Sequence, residues 1–388
     1  MIKRKITKEL MLLAKEFPVV TIVGPRQSGK TTLTKMVFPK KDYCSLEDPD
    51  IREFALADPR GFLNKYPKGA ILDEIQRCPQ LLSYIQGIVD IKQKNGMFVL
   101  TGSHQPELHY SISQSLAGRT AILSLYPLTL NEIPISKRKV SVFDQIQTGF
   151  FPALYSKRIR PLTFYRNYLK TYVERDVRQL INLKDLTLFQ KFLRLLAGRT
   201  GQLINYNNLA NDIGVSSTTI KHWISILSSS YLIYELKPYY KNFRKRIIKS
   251  SKIYFTDTGL ACYLLGINNT EQLERDPLRG NLFENAVIID LLKQLMNSGL
   301  DDNFYFFRDS NGNEVDIIYE AGRSIIPIEV KSSETFNTGF LKGINYLSKI
   351  TDNKIEKSFL IYAGAAEQKI NKTEVISFCN LNKILNNF

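Results

Sequence analysis

Histidine is nearly absent from this 388-residue chain, with only His104, His109 and His222. Three scattered imidazoles exclude a His-rich metal centre and a Ser-His-Asp hydrolase. Cysteine is scarce too. Cys44, Cys78, Cys262 and Cys379 lie far apart with no C-x-x-C pair, which excludes a zinc ribbon or disulfide framework. Such usage fits the reduced thiols of a cytosolic protein. No apolar run approaches the ~20 residues that span a bilayer. No internal repeat or low-complexity linker interrupts the chain. Lys3, Arg4 and Lys5 open the sequence, but the apolar run Leu10–Ala14 is bracketed by Glu9 and Lys15. That pattern is an amphipathic helix and not a signal peptide. The expectation is a cytoplasmic protein with no membrane partner.

What is present is a globular composition, with 44% apolar and 11% aromatic residues. The length suits two or three domains. The formal charge of +16 is uneven: residues 151–260 hold 19 Lys and Arg against 6 Asp and Glu, a net of +13. Such a basic middle block suggests a polyanionic partner, most simply nucleic acid, with DNA ahead of RNA.

The first third carries the sharpest pattern. Gly24-Pro25-Arg26-Gln27-Ser28-Gly29-Lys30-Thr31, followed by Thr32, reads G-x-x-x-x-G-K-T, the phosphate-binding loop. Val19–Val23 before it suit a buried strand. Leu33, Met36 and Val37 after it have helical spacing. In that setting successive N–H groups curl around phosphates, Lys30 reaches the β/γ-phosphates of ATP and the Thr31 hydroxyl ligates Mg²⁺. Ala70-Ile71-Leu72 then leads to Asp73-Glu74. Asp73 would hold Mg²⁺ through water and Glu74 would orient or deprotonate the attacking water, unless Asp73 merely caps a helix. A third apolar strand, Met97–Leu100, ends in Thr101-Gly102-Ser103. Thr101 or Ser103 is a candidate γ-phosphate sensor, with a helix cap at Ser103 as the alternative. Arg119, just before the strand Thr120–Leu125, is either an arginine finger, in cis or across an oligomer interface, or a solvated surface arginine.

The sequences GPRQSGKTT, LDE, TGS and SLAGR, with YPLTLNEI following, resemble the prokaryotic AAA-type ATPases that carry a C-terminal domain of unknown function. GFFPAL, YVERDV, TDTGL and GNEVDII extend the resemblance over nearly the whole chain. It implies a RecA-like α/β domain hydrolysing ATP with Mg²⁺, and raises the prospect of a homo-oligomer or ring.

In the basic middle, Leu209-Ala210 sits on a short helix, Gly214 supplies a tight turn, and Ser216 caps a second helix carrying Ile220, Trp223, Ile224 and Leu227. The run Tyr231–Leu236 reads as a wing strand. Lys241, Arg244, Lys245, Arg246, Lys249 and Lys252 follow on the wing or its return strand. This is a winged helix-turn-helix, whose second helix offers Thr218, Thr219 and Lys221 to phosphates and bases, joined by Arg244, Lys245 and Arg246 from the wing.

In the last third, folding a hairpin about Gly322–Arg323 sets Asp316 opposite Ile328 and Glu329, while Glu329 and Lys331, two apart, share a face. Glu284 would arrive from an upstream helix. This resembles the PD-(D/E)xK phosphodiesterases, although Val315 stands where their proline would be. The resemblance implies a metal held by Glu284, Asp316 and Glu329, with Lys331 positioning water. The expected architecture is therefore α/β: a RecA-like P-loop ATPase domain (1–150), a helical region with a basic winged helix-turn-helix (151–275) and a restriction-endonuclease-like domain (276–388). The expected function is a Mg²⁺-dependent ATPase coupled to nucleic-acid binding and phosphodiester cleavage. The alternative is an ATP-gated regulatory or scaffolding protein with an inert nuclease fold.

Overall fold

The structure, a computed structural model, describes residues 2–103, 112, 114–139, 141–157, 159–171, 186–239, 250–322, 324–351 and 355–385. Tyr172–Val177 and the wing residues Arg244, Lys245 and Arg246 lie outside them. The chain divides into two compact units. One is Met1–Leu128 with Ser229–Tyr231 and Met296–Leu300, and the other is Thr129–Ser228, Leu232–Leu295 and Asp301–Phe388.

The first unit runs α1 (Thr7–Glu16), β1 (Val19–Gly24), α2 (Lys30–Val37), β2 (Asp42–Ser45), α3 (Pro49–Ala57), α4 (Pro59–Asn64), β3 (Ala70–Asp73), α5 (Leu81–Lys92), β4 (Phe98–Ser103) and β5 (Thr120–Ser124). The strands form one parallel sheet in the order β2-β3-β4-β1-β5. A parallel sheet is covered on both faces, so its inner strands β1 and β3 are buried at every position, while the edge strand β2 is part polar and part exposed. Val19, Val23, Leu72 and Leu100 feed one core; Val20, Ile22, Ile71 and Val99 feed the other. Short-range chemistry starts the helices. Asp48 accepts from the Asp50 N–H ahead of α3, which opens on Pro49, and Asp58 accepts from the Gly61 N–H ahead of α4, which opens on Pro59.

The second unit begins with α6 (Val142–Thr148), α7 (Pro152–Ser156), α8 (Pro161–Tyr168), α9 (Leu186–Ala197), α10 (Tyr206–Ile213) and α11 (Ser217–Ser229), then β6 (Ile233–Pro238) and β7 (Lys252–Phe255). It continues through α12 (Thr258–Leu265), α13 (Thr270–Arg275), α14 (Arg279–Asn297), β8 (Phe304–Arg308), β9 (Glu314–Ala321), β10 (Ser324–Lys331), α15 (Lys342–Ile350), β11 (Ser358–Tyr362), β12 (Gln368–Ile370), β13 (Thr373–Ser377) and α16 (Asn382–Leu385). An eight-stranded mixed sheet has the order β12-β13-β11-β10-β9-β8-β6-β7. The antiparallel pair β6–β7 after the helix-turn-helix is thus not a free-standing wing. Lys237 and Pro238 of β6 pair with Tyr305 and Phe306 of β8, which makes the pair the sheet's edge.

Gly214 takes φ 88° between α10 and α11, the left-handed turn that only glycine adopts cheaply, and Ser216 accepts the Thr219 N–H at 3.0 Å. Trp223 packs its ring 5.7 Å from Phe189 and 5.1 Å from Phe192, which locks the second helix onto α9. Among the described residues no helix is long and apolar enough to cross a membrane.

Candidate nucleotide site and carboxylate pocket

Every feature of the first site lies at the carboxyl ends of neighbouring strands. The loop leaves β1 at Gly24 and turns through Gln27 (φ 62°) and Gly29 (φ 97°) before α2 starts at Lys30. A helix start leaves its first N–H groups without intrahelical acceptors, so they face outward as donors. Lys30 is only 5% exposed, and its ammonium donates to the carbonyls of Gly24 at 3.0 Å and Pro25 at 2.9 Å. Burial lowers its pKa to about 8, against the opposing pull of Glu74 and Asp73. Ser28 Oγ is buried without a hydrogen-bond partner.

Asp73 ends β3 and gathers three hydroxyls. Thr31 Oγ1 donates to its Oδ2 at 2.9 Å, Tyr43 Oη to the same oxygen at 2.8 Å, and Thr101 Oγ1 to Oδ1. Thr101 reaches Asp73 because β4 pairs with β3 in a register that sets Leu72 beside Leu100. Glu74 follows in the left-handed region (φ 59°), accepting from Gln76 Nε2; burial raises its pKa. A non-glycine residue held there costs of order 1–3 kcal/mol, a strain that concentrates at working sites. Hard oxygens of Thr31 and Asp73 side by side fit Mg²⁺, and the buried ammonium, the orphaned Ser28 hydroxyl and the free helix start fit a triphosphate.

Two residues of this unit escape the sequence pattern. Tyr43 acts through Asp73, and Arg4 acts on the loop, donating to the Ser28 carbonyl at 2.7 Å and the Tyr126 carbonyl at 2.7 Å. Arg119, by contrast, does not reach the loop of its own chain. It precedes Thr120, which pairs with Val19 at the opposite end of β1, and its guanidinium grips Asp90 at 2.5 and 2.9 Å. Within its own chain Arg119 thus forms a surface ion pair with Asp90.

The second site is a polar cavity of about 620 Å³ in the other unit, lined by Glu284, Asp316, Glu329 and Lys331 among others. The β9–β10 register, Ile317 beside Ile328, carries Asp316 next to Glu329. Lys331 Nζ lies 2.5 Å from Glu329 Oε1 and 3.6 Å from Asp316 Oδ2, and Asp316 also accepts the Val330 N–H at 2.8 Å. Burial, then the Asp316 charge, pushes Glu329 up to about 8. Glu284 comes from α14, where Asn285 clasps both backbone groups of Phe255 and so fixes the helix against β7.

The four residues meet around protein cations. Lys252, expected on the wing, is 3% exposed and points inward. Its Nζ lies 3.0 Å from Glu284 Oε1 and 2.6 Å from Glu314 Oε1. Tyr254 Oη donates to that same Glu284 oxygen at 2.5 Å, and Arg308 pairs with Glu314 at 3.2 Å. Among the described residues no three His, Cys, Asp or Glu side chains are placed to hold a metal ion. At the residues expected to hold a metal, Lys252 and Tyr254 meet Glu284 Oε1 and Lys331 pairs with Asp316 Oδ2 and Glu329 Oε1, while Glu329 Oε2 is buried without a hydrogen-bond partner.

On the second helix, Thr218 and Lys221 are exposed and Thr219 is half-buried. GFFPAL and TDTGL meet elsewhere in this unit. Asp257 caps α12 through the Gly259 and Leu260 N–H groups, and it accepts from the Phe150 N–H at 2.8 Å and Tyr165 Oη at 2.5 Å. That explains these motifs as packing and capping.

Comparison with known proteins bears on the family of the N-terminal part. Residues 16–134 match the AAA domain family. Residues 140–271 and 279–382 match two domains of unknown function, DUF8612 and DUF4143. An uncharacterized protein of Mycobacterium tuberculosis (strain ATCC 25618 / H37Rv) is 29% identical over 362 residues, 92% of this chain and 79% of that one. One of Haemophilus influenzae is 25% identical over 215 residues, 52% of each. Among solved structures, the Walker-type ATPase of Pyrococcus abyssi is 13% identical at a TM-score of 0.41, over 67% of this chain and 94% of that one. AMPPCP-bound DnaA from Aquifex aeolicus is 14% identical at a TM-score of 0.28, over 57% and 85%. The AAA-type character of the N-terminal part rests on the family match and on its own parallel sheet.

Proposed function

We propose that this protein is a Mg²⁺-dependent ATPase whose nucleotide state governs nucleic-acid binding by its helix-turn-helix. The observation that carries the ATPase reading is the Thr31–Asp73 hydrogen bond beside buried Lys30, at the carboxyl ends of β1 and β3 on either side of β4. Lys30 supplies the positive charge for phosphate oxygens, and the N–H groups that open α2 orient them. Magnesium supplies charge neutralisation across the phosphates. Glu74, with its pKa raised by burial, is the group to orient water and take its proton. Lys30→Ala and Asp73→Asn should each lower ATP turnover by about 10²-fold or more. Wild-type rates in either variant would end this reading.

Exposed Thr218 and Lys221, with the basic run 241–249, support nucleic-acid binding, duplex DNA before RNA. Anisotropy titrations over a salt series should show weaker binding and a shallower salt slope for Lys221→Ala and for a Lys245/Arg246→Ala pair. Affinity and slope unchanged in both would leave the helices as a protein-contact module. A second reading, an ATP-gated regulatory protein with an inert nuclease fold, is favoured by Lys252 pairing with Glu284 and Glu314. It expects no cleavage of DNA or RNA with Mg²⁺ or Mn²⁺.

A further inference from the structure

Glu284, Glu314, Asp316 and Glu329 bring four carboxylates to one cavity, and the protein answers them with Lys252, Lys331 and Arg308. Lys252 is the unusual member. It opens β7, its ammonium sits 5.6 Å from the centre of the Phe306 ring, and it is buried. An ammonium taken out of water is costly unless paired and hydrogen-bonded. Here the pairing is with Glu284 at 3.0 Å and Glu314 at 2.6 Å, residues from a helix and a strand. Bridging carboxylates from separate elements is the structural work of a divalent cation. Glu284 Oε1 already accepts from both Lys252 and Tyr254, so its lone pairs are taken. Glu329 Oε2, in contrast, lines the cavity buried and without a hydrogen-bond partner, an acceptor left over for a cation.

We propose that Lys252 stands in the place of a divalent cation in this pocket, and that removing its charge opens a divalent-cation site on Glu284, Asp316 and Glu329. The wild-type pocket then holds no catalytic metal. All of these residues belong to the second unit, so the exchange of Lys252 for a cation is independent of ATP hydrolysis at the phosphate loop.

The test is Mn²⁺ binding to the full chain without nucleotide, followed by loss of the free-ion paramagnetic resonance signal. Wild type and Asp316→Asn should bind Mn²⁺ identically. Lys252→Met should gain about one equivalent, and Lys252→Met/Asp316→Asn should lose it again. Lys252→Arg, which keeps the charge, should gain none. The proposal is overturned if wild type binds an equivalent that Asp316→Asn removes, or if folded Lys252→Met gains nothing. Should Lys252→Met fail to show a cooperative thermal transition, the comparison of wild type with Asp316→Asn decides alone. Equal binding supports the proposal and an Asp316-dependent equivalent refutes it.

Discussion

Arg4 offers a direct test of how the phosphate loop is held. Arg4 is 8% exposed and its guanidinium spans two carbonyls, that of Ser28 within the loop and that of Tyr126 beyond β5. Arg4→Met keeps most of the stem and removes both donors. A hydrogen bond to a charged group contributes about 1.5–3 kcal/mol. The Tyr126 bond anchors the arginine, so only the Ser28 bond acts on the loop. Loss of preorganisation is therefore limited to about 1.5–3 kcal/mol, which at about 1.4 kcal/mol per tenfold weakens nucleotide binding roughly ten- to hundredfold. Lys30, Thr31 and Asp73 remain, so turnover at saturation should fall much less than KM rises. Steady-state ATPase kinetics on Arg4→Met and Arg4→Lys, with a thermal melt of each, separate the cases. A lower Tm with KM unchanged would show that Arg4 supports the fold and not the loop, and the reasoning would fail.

Further outcomes follow from other groups. Burial holds Lys30 near 8 while the unfolded chain titrates near 10.5, so the unfolded state binds more protons between those values and nucleotide-free protein gains stability as pH rises from 8 to 10.5. Melts of wild type against Lys30→Met check this, and nucleotide affinity should fall above pH 8 as the ammonium is lost. Arg119→Ala should leave nucleotide binding intact, because its partner is Asp90. If the arginine acts across an oligomer, the variant alone loses a dependence of turnover on protein concentration. Asp257→Ala removes a helix cap and the acceptor for Tyr165 and Phe150, costing about 3 kcal/mol in denaturant melts. Gly259→Ala, whose added methyl meets the Tyr165 ring, should cost about 1–3 kcal/mol.

The nucleotide site was legible because its chemistry is written locally. Gly24–Thr32 is one contiguous turn, and Asp73 and Thr101 are the polar ends of apolar strands whose parallel pairing follows from burial on both faces. The hairpin was legible for the same reason, since the turn at Gly322 fixes which residues stand opposite. Arg4 was not, because its partners are backbone carbonyls and leave no side-chain signature. Lys252 was hidden in a basic run that reads as a solvated surface. Its one signal is the two-residue spacing to Tyr254, which puts both on the strand face turned towards Glu284. Arg119 misled in the opposite direction: proximity to a strand says nothing of which end of the sheet it occupies.

The position of β6–β7 changes what the second unit can be divided into. Sequence spacing suggests a helix-turn-helix module followed by a separate α/β domain. In the sheet, however, β6 pairs with β8, and β7 carries the lysine that faces Glu284 and Glu314. A fragment beginning after residue 275 would lose two strands and leave β8 as an open edge, the geometry that invites pairing with other chains. It would also strip Lys252 and Tyr254 from the cavity, leaving four carboxylates against Lys331 and Arg308. Such a fragment should therefore aggregate, or acquire a cation that the whole chain does not need. Helices α10 and α11 run directly into the strand pair that lines the carboxylate pocket, so any chemistry assigned to one must be tested with the other attached.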